Sequence, residues 1–346
     1  MAREKNEKNV TFQDIANYTR FSKTTISRYF NHPESLAPEN RAKIEEALQA
    51  LHYNENKLAR ILANGRTEFI GLLTPNIYNG FYSMISEKIL ATYERYGYKF
   101  LVFTGAETEG VERKYIRELL AYQVEGLIVL SHTIPSMELA SYGIPLVSIE
   151  REDRYISSVN TDNYMGGVQA TGLLYKNDCD VFILINSPTS PDVPGYGRVR
   201  GFLDTCAEHH LEYRMVEYPM GRTYDETVSA VKTALEKNVL DAFPGKKKGI
   251  FCLSDTSAII VLNQLYRRYG KLPDDYRIIG FDNTPASREA VLPISTVGQQ
   301  ADTLVDTAMT ILTDQIRMKK EGNEIDLSRP VHAVIPPRLI ARATTD

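Results

Sequence analysis

From Glu68 onward the sequence alternates short apolar runs with longer amphipathic stretches, and this alternation narrows the available folds more than any other feature. FIGLLTP, YKFLVFTG, EGLIVLSH and IPLVSIE have the length and the Ile, Leu, Val and Phe content of strands. Between them lie segments such as GFYSMISEKILATYERYG and VERKYIRELLAYQV, whose apolar residues recur at helical spacing. Apolar strands separated by helices make βαβ units, whose parallel strands are covered on both faces. The pattern then repeats. DVFILINS, YRMVEYP, KGIFCLSD and RIIGFDN are separated by NYMGGVQATGLLYKN, GYGRVRGFLDTCAEHH, TYDETVSAVKTALEKN and DTSAIIVLNQLYRRYG. Two α/β lobes of similar order are the most economical arrangement. A chain of 346 residues, at about 150 per domain, has length for both and for a further module.

That module is N-terminal and all-α. Thr11 followed three residues later by Asp14 is a capping signal, and Phe12, Ile15 and Ala16 then share one helical face. A short helix over about 11–18 is expected. Ser22 caps the next, with Ile26, Tyr29 and Phe30 on one side and Thr24, Ser27 and Arg28 on the other. A third begins at Pro38 and carries Ile44, Ala47, Leu48 and Leu51 at helical spacing. Three such helices make a helix-turn-helix bundle, whose second helix turns its polar face to the DNA major groove. Charge distribution agrees: the chain carries −4 overall, yet residues 1–66 hold eleven Lys/Arg against eight Asp/Glu, leaving −7 for the rest. From the pattern alone, a small solvated helix in an ordinary α-helical domain is the alternative.

The surrounding residues separate the two. VTFQDIANYTRFSKTTISRYFN and ENRAKIEEALQALHYNENKLARILANG, with their S-x-T-T-x-S-R, L-x-Y-x-x-N and L-A-R-x-L elements, closely resemble the start of LacI-family transcription regulators. The resemblance implies that Lys23, Thr24 and Arg28 read bases while Ser22, Thr25, Ser27 and Asn31 hold phosphates. Thr11, Tyr53, Asn56, Leu58 and Ala59 complete the implied DNA contacts. It also implies a homodimer on a near-palindromic double-stranded operator. Residues 56–64 read as a short hinge helix ending before Gly65, and the resemblance implies that Leu62 wedges between central base pairs. The implied boundaries are 1–55 for the helix-turn-helix domain, 56–66 for the hinge and 67–346 for the core. One departure stands out: Arg20 occupies the turn position where the family usually has glycine, so the turn is either slightly strained or differently shaped.

For the core the resemblance implies a two-lobed periplasmic-binding-protein-like fold in which the chain crosses between lobes three times. Those crossings are expected near 163, 294 and 328, giving lobe one 67–163 and 295–328, and lobe two 164–294 and 329–346. Ligands of open α/β sheets bind beyond the C-terminal strand ends. Phe81 and Tyr82 follow the first strand, Glu150 ends the fourth, Asp282 ends RIIGFDN, Arg198 and Arg200 enter a helix start, and Gln299 sits at a connection. Carboxylates, guanidinium and amide beside aromatic faces suit a small polyhydroxylated effector, a sugar or sugar phosphate. Taken singly, each residue also has a local explanation, as a cap, an ion pair or a core side chain. The resemblance assigns Glu150, Arg198, Asp282 and Gln299 to effector contact. Glu150 stands where aspartate is common, and Ser254-Asp255 where several sugar binders have Asn-Asp.

Other function classes find little support. GYGRVRG is a near miss to a dinucleotide fingerprint and does not directly follow a strand, and no P-loop, HExxH, CxxC or GxSxG sequence occurs. No catalytic residue, cofactor or metal is expected. Cys179, Cys206 and Cys252 are odd in number and lie in apolar surroundings, which suits buried thiols. No apolar run of about 18 residues and no signal-type h-region occurs, so no membrane partner is expected and the expected location is the cytoplasm. A cytoplasmic sugar-binding module, or a sugar-acting enzyme with an unrelated helical domain, is the alternative reading.

Overall fold

Side-chain caps start the first two helices. Thr11 donates from its backbone N–H and its hydroxyl to the Asp14 carboxylate at 2.8 and 2.7 Å, opening α1 (Phe12–Thr19). The Ser22 hydroxyl accepts from the Thr25 amide at 3.1 Å, opening α2 (Lys23–Asn31). A 3₁₀ turn at Pro33–Ser35 leads to α3 (Pro38–Ala50), with Pro38 at its first position. Ile15, Ala16, Ile26, Leu36, Ile44 and Ala47 are buried at the centre. The structure, a computed structural model, divides into two units, Met1–Arg66 and Thr67–Asp346. It describes residues 10–53, 66–105, 108–151, 154–191, 193–219, 221, 223–322 and 329–346, except the side chain of Asn31. The expected hinge, with Asn56, Leu58, Ala59 and Leu62, lies outside the described residues.

The second unit holds two six-stranded sheets. The first is built from β1 (Phe69–Thr74), β2 (Lys99–Thr104), β3 (Gly126–Val129), β4 (Leu146–Ile149), β5 (Ser157–Thr161) and β11 (His332–Ile335), in the order β11-β5-β4-β3-β1-β2. Helices α4 (Gly80–Ala91), α5 (Tyr93–Tyr96), α6 (Glu109–Ala121) and α7 (Ser136–Ser141) connect its strands. Every pairing is parallel. The chain then passes through α8 (Asn163–Lys176) into the second sheet: β6 (Val181–Asn186), β7 (Tyr213–Glu217), β8 (Lys248–Cys252), β9 (Tyr276–Asp282), β10 (Ser295–Gly298) and β12 (Arg338–Ile340), in the order β12-β10-β9-β8-β6-β7. Its helices are α9 (Tyr196–Glu208), α10 (Tyr224–Asn238), α11 (Asp255–Tyr269) and α12 (Pro285–Glu289). Only β12 runs antiparallel to its neighbour. Apolar clusters cover both faces of each sheet, which is why β6 is buried along its whole length.

Two expected lobe boundaries are corrected by strand pairing. β10 pairs with β9 from Ser295 to Gly298, so the second connection follows residue 298 rather than 294. After α13 (Ala301–Lys320), β11 pairs with β5 of the first sheet, so the third connection follows Ile335 rather than residue 328. The physical reason is shared. A strand of only four residues is placed by backbone hydrogen bonding, which the apolar pattern of the segment does not reveal. Among the described residues, no helix is long and apolar enough to cross a membrane.

Candidate functional site

The N-terminal unit presents one polar helix face. Ile26 is fully buried and Tyr29 and Phe30 pack on the same core, so helical geometry turns Lys23, Thr24 and Arg28 outward, where all three are exposed. The Ser22 and Thr25 hydroxyls lie 2.9 Å apart at the helix start, and Ser27 is half-buried. Among the described residues, Arg20, Lys23 and Arg28 have no ion-pair partner. Arg20 ends α1 at φ 60° and ψ 26°, the left-handed conformation expected for that turn. Tyr53 belongs to a different environment from the other expected contacts. Its ring stands 6.2 Å from Phe12 and 5.7 Å from Phe30, as part of the aromatic cluster that closes the bundle.

The second unit contains a cavity of about 570 Å³ at the C-terminal strand ends of both sheets. Phe81, Tyr82, His132 and Glu150 line it from the first sheet, and Arg198, Ser254 and Asp282 from the second. At its centre is Arg198. Its Nε donates to Asn163 Oδ1 at 2.6 Å, its Nη1 donates to the Leu253 carbonyl at 2.6 Å, and its Nη2 stands 3.5 Å from Glu150 Oε2. Asp282 lies 3.7 Å from Nη1, and the guanidinium carbon sits 3.6 Å above the Phe281 ring centroid. Glu150 accepts in addition from the Thr161 amide and, at 3.0 Å, from Asn163 Nδ2. The buried guanidinium is thereby held between two carboxyl groups, one from each sheet.

Backbone strain occurs at some of these residues and beside them. Glu150 is at φ 55°, Asp282 at φ 109° and Asn283 at φ 56°, in a region where side chains other than glycine cost about 1–3 kcal/mol each. Burial pushes the Asp282 carboxyl up to about 8; Arg198 opposes the rise and Asp255 reinforces it. At neutral pH this acid is therefore mostly protonated and both donates and accepts hydrogen bonds. Burial and Asp282 push the Tyr82 phenol up to about 12, keeping it a neutral donor. Desolvation and then Arg151 push the His132 imidazole down, although the residue itself is exposed.

Two expected effector contacts act elsewhere. Asp255 is fully buried and absent from the cavity wall. It accepts from the Thr284 amide at 2.7 Å, the Thr284 hydroxyl at 3.1 Å and the Thr296 hydroxyl at 2.7 Å, tying α11 to β10 and to the start of α12. Burial pushes its carboxyl up to about 6. Gln299 stands behind the wall: it donates to Asp282 Oδ1 at 2.8 Å and accepts from the Thr161 hydroxyl at 2.6 Å, linking the two sheets. Ser254 does line the cavity while capping α11 through the Ser257 amide at 3.2 Å. Phe81 is 7% exposed, so most of its ring belongs to the core of the first sheet. His132, Asn186 and Tyr218 also line the cavity, and none was expected. Each closely follows or ends an apolar strand, so the strand-end rule applied to every strand would have found them.

Comparison with known proteins follows this geometry. Residues 11–56 match the bacterial regulatory proteins of the lacI family, and residues 171–345 match the periplasmic binding protein-like domain. The chain is 30% identical to the sucrose operon repressor of Lactococcus lactis subsp. lactis over 323 residues, 92% of this chain and 96% of that one. Its fold resembles that of the lac repressor dimer bound to operator and the anti-inducer ONPF, with a TM-score of 0.78 at 20% identity over 98% and 99% of the two chains. It also resembles a periplasmic binding protein/LacI transcriptional regulator from Alkaliphilus metalliredigens QYMF complexed with D-xylulofuranose, with a TM-score of 0.68 at 26% identity over 81% of this chain and 99% of that one. With a lacI-type helical unit ahead of this core, and a relative at 30% identity along nearly its whole length, the chain belongs to the LacI family of bacterial regulatory proteins.

Proposed function

We propose that this protein is a dimeric, sequence-specific transcriptional repressor of carbohydrate-metabolism genes, controlled by a sugar-type effector bound in the Arg198 cavity. One observation carries the reading: a single chain joins an exposed helix face bearing Lys23, Thr24 and Arg28 to a cavity built around Arg198, Glu150 and Asp282. Lys23, Thr24 and Arg28 read base edges in the major groove, and Ser22, Thr25, Ser27 and Asn31 hold phosphates. Two copies place two such helices on the half-sites of a near-palindrome, with the 56–66 hinges at its centre. Support for the effector class comes from the relatives: one is a sucrose operon repressor and another holds D-xylulofuranose. The Arg198 site binds rather than catalyses. Its acids are committed to a structural network, which suits recognition and lobe closure.

Closure over an effector draws the Glu150 and Asp282 sides together through Arg198, and Gln299 and Thr161 transmit the change between the sheets. A near-complete switch requires about 5.5 kcal/mol of differential affinity. The test is selection from random duplex DNA at fixed moderate salt, with the protein alone and with a mixed carbohydrate pool. Enrichment of a near-palindrome in either arm supports the reading. The arm in which it appears tells inducer from corepressor. Enrichment in neither arm overturns it.

A further inference from the structure

We infer that the effector is an uncharged polyhydroxylated molecule contacted by Asn186, and that the cavity discriminates against phosphorylated sugars. This rests on the sugar-responsive reading above and narrows its ligand class. Among the described residues lining the cavity, Arg198 is the sole Lys or Arg. Its charge is met before any ligand arrives: the Glu150 carboxylate stands 3.5 Å from its Nη2, and Asn163 and the Leu253 carbonyl take its shortest hydrogen bonds. His132 also lines the cavity with its side chain exposed, and the nearby Arg151 disfavours a second positive charge on its imidazole. A phosphate dianion entering this space would lose its water beside a carboxylate and find no uncompensated positive charge.

Helix starts are the other common source of anion binding, and the three starts at this cavity already have partners: at the head of α4 the Gly80 amide donates to the Thr256 hydroxyl at 3.4 Å and the Phe81 amide to Asn79 Oδ1 at 3.0 Å. The Tyr196, Gly197 and Arg198 amides at the head of α9 donate to the Val193, Pro194 and Gly195 carbonyls at 2.9, 2.9 and 3.1 Å. At the head of α11, the Ser257 amide donates to the Ser254 hydroxyl. What remains unclaimed is neutral. Asn186, 4% exposed at the end of β6, lines the cavity, and its Nδ2 has no hydrogen-bond partner among the described residues. An unmade bond on a buried amide is costly, and the cavity is the side from which an acceptor can come. The neighbouring Ser187, Thr189 and Ser190 hydroxyls also line the space. Amide and hydroxyl groups around a neutral acid match the donor-acceptor character of sugar hydroxyls.

Calorimetric titration of the full-length protein with matched pairs tests the inference: sucrose and sucrose 6-phosphate, glucose and glucose 6-phosphate, fructose and fructose 6-phosphate. The expected result is that, in each pair that binds, the neutral member binds at least about tenfold tighter. A phosphorylated member that binds equally well or better overturns the inference and leaves the repressor reading standing. No binding by any member, with selective operator binding retained, removes the sugar-responsive reading and this inference with it. Asn186→Ala and the near-isosteric Asn186→Leu should each weaken the neutral sugar roughly tenfold, the equivalent of one hydrogen bond. Neither should lower the unfolding temperature of the free protein, because the lost donor had no partner. Full sugar affinity in both variants would show that Asn186 makes no contact.

Discussion

Arg20 shows at the scale of one residue how a sequence departure becomes a physical strain. At φ 60° its Cβ crowds the backbone in a way that glycine avoids, at a cost of about 1 kcal/mol. Arg20→Gly should stabilise the N-terminal unit by about that amount, seen as a higher unfolding temperature of its transition in calorimetry. Arg28 is exposed and has no ion-pair partner among the described residues. Arg28→Ala should weaken operator binding by about 1–3 kcal/mol and relax preference at one base position. An equal loss on all sequences would reduce Arg28 to a phosphate contact. Asp282 sets a pH dependence. Its carboxyl titrates near 8 in the fold against an ordinary 3.8, so the folded state holds the proton more tightly. The stability this contributes is complete below about pH 4 and is lost as pH rises towards 8. Asp282→Asn imitates the protonated acid, so its unfolding temperature should gain on the parent's as pH is raised from 5 to 8. A constant difference across that range would contradict the assignment.

At the scale of elements, two glycine-containing helices place Arg198. A Cβ on Gly167 of α8 would meet the Arg198 carbonyl oxygen, and one on Gly201 of α9 would meet the Tyr164 carbonyl oxygen at 2.2 Å. The two backbones therefore cross in near contact, and this brings Arg198 to Asn163 at the head of α8. Gly201 also belongs to the near miss to a dinucleotide fingerprint, whereas Gly167 does not. Their role is helix-helix approach. Gly201→Ala should force the helices apart, destabilising the protein by about 1–3 kcal/mol and weakening effector affinity through a displaced Arg198. Circular dichroism melts and sugar titration read the two effects separately; a native-like melt with native affinity would refute the close-contact account. The helix pattern and the strand runs were legible because each is a local periodicity. The placement of β10 and β11 was not, since the partner of a four-residue strand is chosen by backbone hydrogen bonding rather than by its own apolar pattern.

For the whole molecule, coupling between effector and operator must be reciprocal: if sugar changes operator affinity by some factor, operator changes sugar affinity by the same factor. Titrating sugar into free protein and into the operator complex measures both halves, and unequal factors would exclude a single linked equilibrium. Arg198→Ala should abolish the difference between the two titrations, because Arg198 joins Glu150 of the first sheet to Asp282 of the second. If the difference survived in that variant, coupling would run through other contacts, with the Gln299 bridge from Thr161 to Asp282 the next to replace.

Sequence by itself determined what depends on neighbours in the chain: the capped helices, the exposed face of Lys23, Thr24 and Arg28, the two sets of βαβ units, and Glu150, Arg198 and Asp282 at element ends. Tertiary structure decided what depends on the company those residues keep. It turned Asp255 into a buried tie among Thr284 and Thr296, set Gln299 behind Asp282, packed Tyr53 against Phe12 and Phe30 beside the module's core, and brought His132, Asn186 and Tyr218 to the cavity wall. The reason is range. Helical and strand periodicities are written within about ten residues, whereas the burial, charge and hydrogen bonding that give a polar side chain its role are set by residues far from it along the chain.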